Sequence, residues 1–152
     1  MTESISVTVA AVVEREGRFL LIEEHADGGL KLNQPAGHLE PGESLLQAVA
    51  REALEETAFR FTPEWLLGVY RWRSLERHVT YVRFAFLGSV HGPAPGRALD
   101  EGIVRALWLT PADLNAERAR HRSPLVAQCV EDCLAGRRFP LEILVDPAQG
   151  DK

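Results

Sequence analysis

The sequence predicts an α/β protein in which a mixed β-sheet lies between helices. Segments rich in β-branched residues alternate with segments of helical periodicity, in the order strands, helix, strands, helix. The chain has 152 residues, 45% of them hydrophobic, enough for one compact domain over 1–152 with its own core. It shows no internal repeat.

The first strand is expected over 5–13, "ISVTVAAVV", and a second over 18–24, "RFLLIEE". The turn-like "EREG" between them predicts a hairpin. The stretch 25–43, "HADGGLKLNQPAGHLEPGE", is rich in glycine and proline and reads as a loop that bends repeatedly near a ligand. A helix should follow from Leu45 to Glu56, opened by Ser44 and Gln47 as a capping box. Leu46, Val49, Ala50, Ala53 and Leu54 fall on one apolar stripe. Glu52, Glu55 and Glu56 fall on the other side, expected to face solvent.

Strands are expected at 65–73 and 79–90, then a Pro/Gly loop at 91–102 and a strand at 103–109. Thr110 and Pro111 begin a short helix. Ser123 and Pro124 open a last helix to Ala135, with Gly136 as its C-cap, and 139–146 is expected to be extended.

Net charge is -5, from 17 basic and 22 acidic residues, and no basic block is long enough to bind nucleic acid. No run approaches the ~20 apolar residues of a membrane span. The N-terminus has no positive flank or cleavage site, so a cytoplasmic protein is expected. Cys129 and Cys133 read as ordinary buried thiols. The five histidines show no metal-ligand spacing.

One short stretch carries chemistry. "AREALEE" (50–56) crowds Glu52, Glu55 and Glu56 into about two helical turns. Like charges at that spacing cost roughly 0.2 to 0.5 kcal/mol per pair, so stability alone does not favour them. A divalent cation relieves the repulsion, and carboxylates with a backbone carbonyl, here that of Gly37, are the hard oxygen donors Mg²⁺ or Mn²⁺ accepts. The same ion bridges phosphate oxygens and assists ionisation of water while a free carboxylate takes the proton. The competing reading is a solvated acidic face with an Arg51–Glu55 pair at i,i+4.

The stretch "GHLEPGESLLQAVAREALEETAF", Gly37 to Phe59, resembles the Nudix box, G-x(5)-E-x(7)-R-E-U-x-E-E-x-G-U with U a bulky aliphatic residue. Gly37, Glu43, Arg51, Glu52, Glu55 and Glu56 match in type and spacing. Ala53 stands where a bulky residue is expected and Ala58 where the box has glycine. A left-handed residue there would cost a Cβ roughly 1 to 2 kcal/mol, so the helix should end differently. "NQPAGHLE" (33–40), "RSPLV" (122–126) and "PLE" (140–142) are similar to the NudJ-type phosphatase subgroup.

The resemblance implies a Nudix-type α/β/α sandwich and a Mg²⁺-dependent phosphatase. Its implied substrates are nucleoside tri- and diphosphates and pyrophosphate esters of the thiamine pathway, with release of orthophosphate. It casts Glu52, Glu56 and the Gly37 carbonyl as metal ligands, with Glu55 completing the cluster, and Arg51 and Glu43 as scaffolding. Three residues remain candidates for the general base: Glu52, Asp100 and Glu101. Asn33, Gln34, Arg71, Arg73, Arg83, Tyr70 and Trp72 are candidates for substrate contact, against the plainer reading of strand arginines and core aromatics. The expected partner is a small nucleotide or pyrophosphate ester, with no nucleic acid and no membrane, bound by a monomer or homodimer. Nucleotide-sugar or dinucleoside-polyphosphate cleavage, and a non-catalytic nucleotide-binding Nudix module, are the alternatives.

Overall fold

The computed structural model describes residues 2–147. The strands are β1 (Ser4–Val12), β2 (Glu14–Arg15), β3 (Arg18–Ala26), β4 (Gly29–Asn33), β5 (Ala36–His38), β6 (Arg60–Ser74), β7 (Val79–His91) and β8 (Ile103–Leu109). The helices are α1 (Leu45–Thr57), α2 (Pro111–Ala116) and α3 (Leu125–Leu134). The expected α/β architecture is present, its strands divided between two sheets. One is mixed, in the order β5-β1-β7-β6 with β1 and β7 parallel. The other joins β2, β3, β4 and β8 in antiparallel pairs.

Alternation along β1 explains why it lies inside a three-layer arrangement. Val9, Ala11 and Val13 pack with Val49 and Ala53 of α1, while Ala10 and Val12 pack with Val126 and Cys129 of α3. A strand apolar on both faces must be covered on both. Its edges are taken by β5 and β7, so the expected hairpin of 5–13 with 18–24 does not form. The turn is real but short, pairing Glu14 and Arg15 with Phe19 and Arg18 and closed by Leu20 N–H donating to Val13 O at 3.0 Å. β3 then departs into the second sheet.

The stretch expected as a loop contains β4 and β5. β4 pairs with β3, and β5 pairs Ala36, Gly37 and His38 with β1. β4 is joined to β3 by the two-residue turn Asp27–Gly28, both at positive φ, a hairpin that the glycine-rich composition masks, whereas the bonds of β5 come from β1, remote in sequence, which local composition does not encode. At the other end, Leu141–Ile143 forms one 3-10 turn where extended chain was expected.

Helix α1 opens as the sequence requires. The Ser44 hydroxyl accepts from the Gln47 N–H at 3.1 Å, and the Gln47 side chain accepts from the Ser44 N–H at 2.9 Å. Its far end departs from expectation, because Ala58 does take the left-handed conformation, φ 64°. Neighbouring bonds hold it there: Ala58 donates to Leu54 O at 2.9 Å and accepts from Ala94 N–H at 2.9 Å. Among the described residues no helix is long and apolar enough to cross a membrane.

Candidate active site

The capping box fixes where α1 begins, and packing of Ala48, Val49 and Ala53 fixes its rotation, so its acidic face meets β5. Glu56 does not face solvent: it is 9% exposed, and its carboxylate accepts from the Ala36 N–H at 2.8 Å. β5, the strand composition hid, covers it.

Gly37 sits against Glu52. A Cβ added at Gly37 would lie 2.1 Å from the Glu52 carboxyl carbon and 2.3 Å from each of its oxygens. Any side chain at 37 would therefore displace Glu52. Gly37 pairs with Val9 across the β1–β5 ladder. Its carbonyl oxygen has two lone pairs and keeps capacity for a cation.

Arg51 ties the loop to the helix. Its Nε and Nη2 donate to the two oxygens of Glu43 at 2.9 and 2.7 Å. Its Nη1 donates to Glu52 at 2.7 Å and Glu55 at 2.9 Å, and Nη2 also donates to His38 O at 3.0 Å. The Glu43 hydrogen bond raises Arg51 above its ordinary range, and the same bond lowers Glu43. A planar fork of five donors suits this four-way attachment.

Burial raises Glu52 despite Arg51, and raises Glu56 to about 9, with Glu52, Glu24 and Asp100 adding to the effect. Glu52 has Arg51 on one oxygen, and among the described residues Glu56 has no cationic partner, which is the chemistry a divalent cation supplies. Glu52, Glu56 and the Gly37 backbone are a fitting set of hard oxygen donors. Among the described residues no three His, Cys, Asp or Glu side chains converge into a complete metal cage. The Glu55 carboxylate is held by Arg51 Nη1 at 2.9 Å.

Asp100 is placed by its N–H, which donates to Glu55 O at 2.9 Å. Burial and then the Glu55 carboxylate raise it. Glu101 is exposed on the following turn.

A cavity of about 380 Å³ opens beside Glu52 and Glu56 and extends over the mixed sheet. Asn33, Trp72 and Arg83 line it, together with Tyr81, Arg122 and Glu24, which the sequence reading missed. Arg83 is 5% exposed and donates to Gln34 at 2.9 Å and Asn33 at 3.0 Å, so Gln34 is a buried support behind the cavity wall. Trp72 stacks on Tyr81 across the β6–β7 ladder, centroids 5.7 Å apart. Tyr81 shares a strand face with Arg83, two residues on, which is the signal that could have found it. Glu24 and Arg122 pair with each other from distant segments and carry no such local signal.

Three expected contacts lie elsewhere. Arg71 and Arg73 are exposed on the face of β6 opposite Trp72, and Arg73 pairs with Glu3. Tyr70 donates to Asp132 of α3 at 2.7 Å and is a packing residue.

A model of the NUDIX domain family matches residues 4–129. Phosphatase NudJ of Escherichia coli strain K12 is 36% identical over 140 residues, covering 92% of this chain and 90% of that protein. The phosphatase NudJ of Shigella flexneri matches equally. A solved structure of a NUDIX hydrolase from Nitrosomonas europaea superposes with a TM-score of 0.91 at 53% identity, covering 93% of this chain and 97% of that one. A MutT NUDIX hydrolase from Burkholderia pseudomallei, 22% identical over 86% of this chain and 98% of its own, shares the fold with a TM-score of 0.72.

Proposed function

The chain belongs to the NUDIX family and is a hydrolase, and from that premise we propose that it is a Mg²⁺-dependent phosphohydrolase releasing orthophosphate. Its proposed substrates are nucleoside di- and triphosphates and pyrophosphate esters of the thiamine pathway. The observation that carries this reading is one cavity lined by Glu52 and by the buried Glu56, which burial raises to about 9, together with an arginine and a stacked aromatic pair. The 36% identity to phosphatase NudJ supports the choice of orthophosphate as product.

Glu52, Glu56 and the Gly37 carbonyl would hold the ion, which supplies Lewis acidity toward phosphoryl oxygens and lowers the pKa of water. Glu52 is the favoured proton acceptor, since it lines the cavity, whereas Asp100 is tied to Glu55 and Glu101 is exposed. Arg51 donates to one Glu52 oxygen; the other would hold the ion through its bound water and take that water's proton, leaving direct contact to Glu56 and the Gly37 carbonyl. Arg51 and Glu43 hold the loop in register with the helix. The free thiols of Cys129 and Cys133 fit a reducing compartment, and we place the enzyme in the cytoplasm.

Purified protein with Mg²⁺, with Mn²⁺ or with EDTA, given nucleotides, thiamine diphosphate, nucleotide sugars and dinucleoside polyphosphates in separate reactions, should release orthophosphate from the first two in the presence of either metal and none with EDTA. Release of a nucleoside monophosphate from nucleotide sugars or dinucleoside polyphosphates, without orthophosphate from any of the panel, would favour those substrates instead.

A further inference from the structure

Three arginines line the cavity, and they differ in how their charge is met. Arg77 pairs with Asp27, and Arg122 pairs with Glu24. Arg83, the most buried of them, has only neutral partners among the described residues: the side-chain oxygens of Gln34 and Asn33, and the Cys129 sulfur at 3.8 Å. Burial raises Cys129, so that sulfur is a thiol and not a compensating anion. The Arg83 Nε is buried with no hydrogen-bond partner among the described residues. A buried guanidinium without an anion is costly unless a ligand provides one. The start of α3 lies at the same cavity, with Ser123 and Leu125 in its wall, so the positive end of a helix dipole adds to the field.

The sheet also orders these groups. Thr8 pairs with His38 of β5 on one side and with Arg83 of β7 on the other, and Tyr81 of β7 faces Trp72 of β6. At ~4.8 Å per strand, Arg83 stands about 10 Å from the β5 edge where the carboxylates meet Gly37, with the aromatic pair beyond.

We infer that Arg83 binds the phosphoryl group that stays on the organic product, while the departing phosphoryl lies at Glu52 and Glu56 and an aromatic ring of the substrate rests by Trp72 and Tyr81. It deepens the diphosphate reading above and rests on it for the identity of the anion. The consequence is a metal-independent subsite for monophosphate esters of aromatic heterocycles.

Calorimetric titration in EDTA with AMP, CMP and thiamine monophosphate, each against its unphosphorylated parent, tests this without turnover. In the wild type at least one monophosphate should bind about tenfold or more tightly than its parent, as hydrogen bonds to a charged group imply. Arg83→Gln should abolish that discrimination while leaving the parent's affinity unchanged, and Arg83→Lys should restore part of it. Equal binding of every monophosphate and its parent by the wild type overturns the inference even if the variants fail to fold. Unchanged discrimination in a folded Arg83→Gln also overturns it. Loss of all diphosphate turnover in the Mg²⁺ assay, with this binding intact, would instead remove the catalytic reading alone.

Discussion

The Glu56 carboxylate accepts a hydrogen bond from the Ala36 N–H at 2.8 Å, yet burial still raises its carboxyl from 4.5 to about 9. The folded protein therefore holds a proton that the unfolded chain releases, and metal-free stability must fall as pH rises between those values. Glu24, Glu52 and Asp100, also raised mainly by burial, act with the same sign. Glu23 and Glu43 are lowered by arginine partners, so their contribution is lost only in acid. In EDTA the melting temperature should decline from about pH 6 to 9, and Mg²⁺ should oppose that decline, because binding needs ionised carboxylates.

Glu56→Gln is isosteric with the protonated carboxyl and can keep the Ala36 hydrogen bond. It should fold, lose most of the pH-dependent decline in EDTA, and lose turnover by a factor on the order of 100 or more. Thermal melts across pH and orthophosphate release check the two halves separately.

Gly37→Ala should cut kcat/KM about 100-fold, since the new Cβ overlaps the Glu52 carboxylate at 2.1 Å and moves it from its place. Gly37 has no positive φ to relieve, so the loss comes from this contact rather than backbone strain. Steady-state kinetics with a circular dichroism control would show it.

Arg51→Lys keeps the charge but not the fork that holds Glu43, Glu52, Glu55 and His38 together. Mg²⁺ affinity should weaken about 10- to 100-fold. Stability should fall by roughly 1 kcal/mol, a modest figure because the network is partly exposed. Calorimetric Mg²⁺ titration and urea unfolding measure these effects.

Ala58→Gly should stabilise the protein by up to about 1 kcal/mol, by removing the Cβ penalty at φ 64°. For a chain of this size that is a rise of about 2 to 4 °C in melting temperature. Activity should be unchanged, and a decrease in melting temperature would show that the buried methyl matters more than the strain.

The sequence by itself determined the parts whose information is local. The capping box at Ser44 and Gln47, the apolar stripe of Val49 and Ala53, and the spacing that unites Gly37, Arg51 and the glutamates are all properties of one contiguous segment. Helical periodicity makes such neighbours readable without a fold.

Tertiary structure decided what depends on remote chain. β5 pairs with β1 and thereby buries Glu56, so a residue on the polar side of α1 is covered rather than solvated. Hydrogen bonds around Ala58 hold a left-handed residue that local preference opposes. Register sends Trp72 into the cavity and Arg71 away from it. It also leaves Arg83 without an acid among the described residues, because charge compensation is settled by which side chains meet in space.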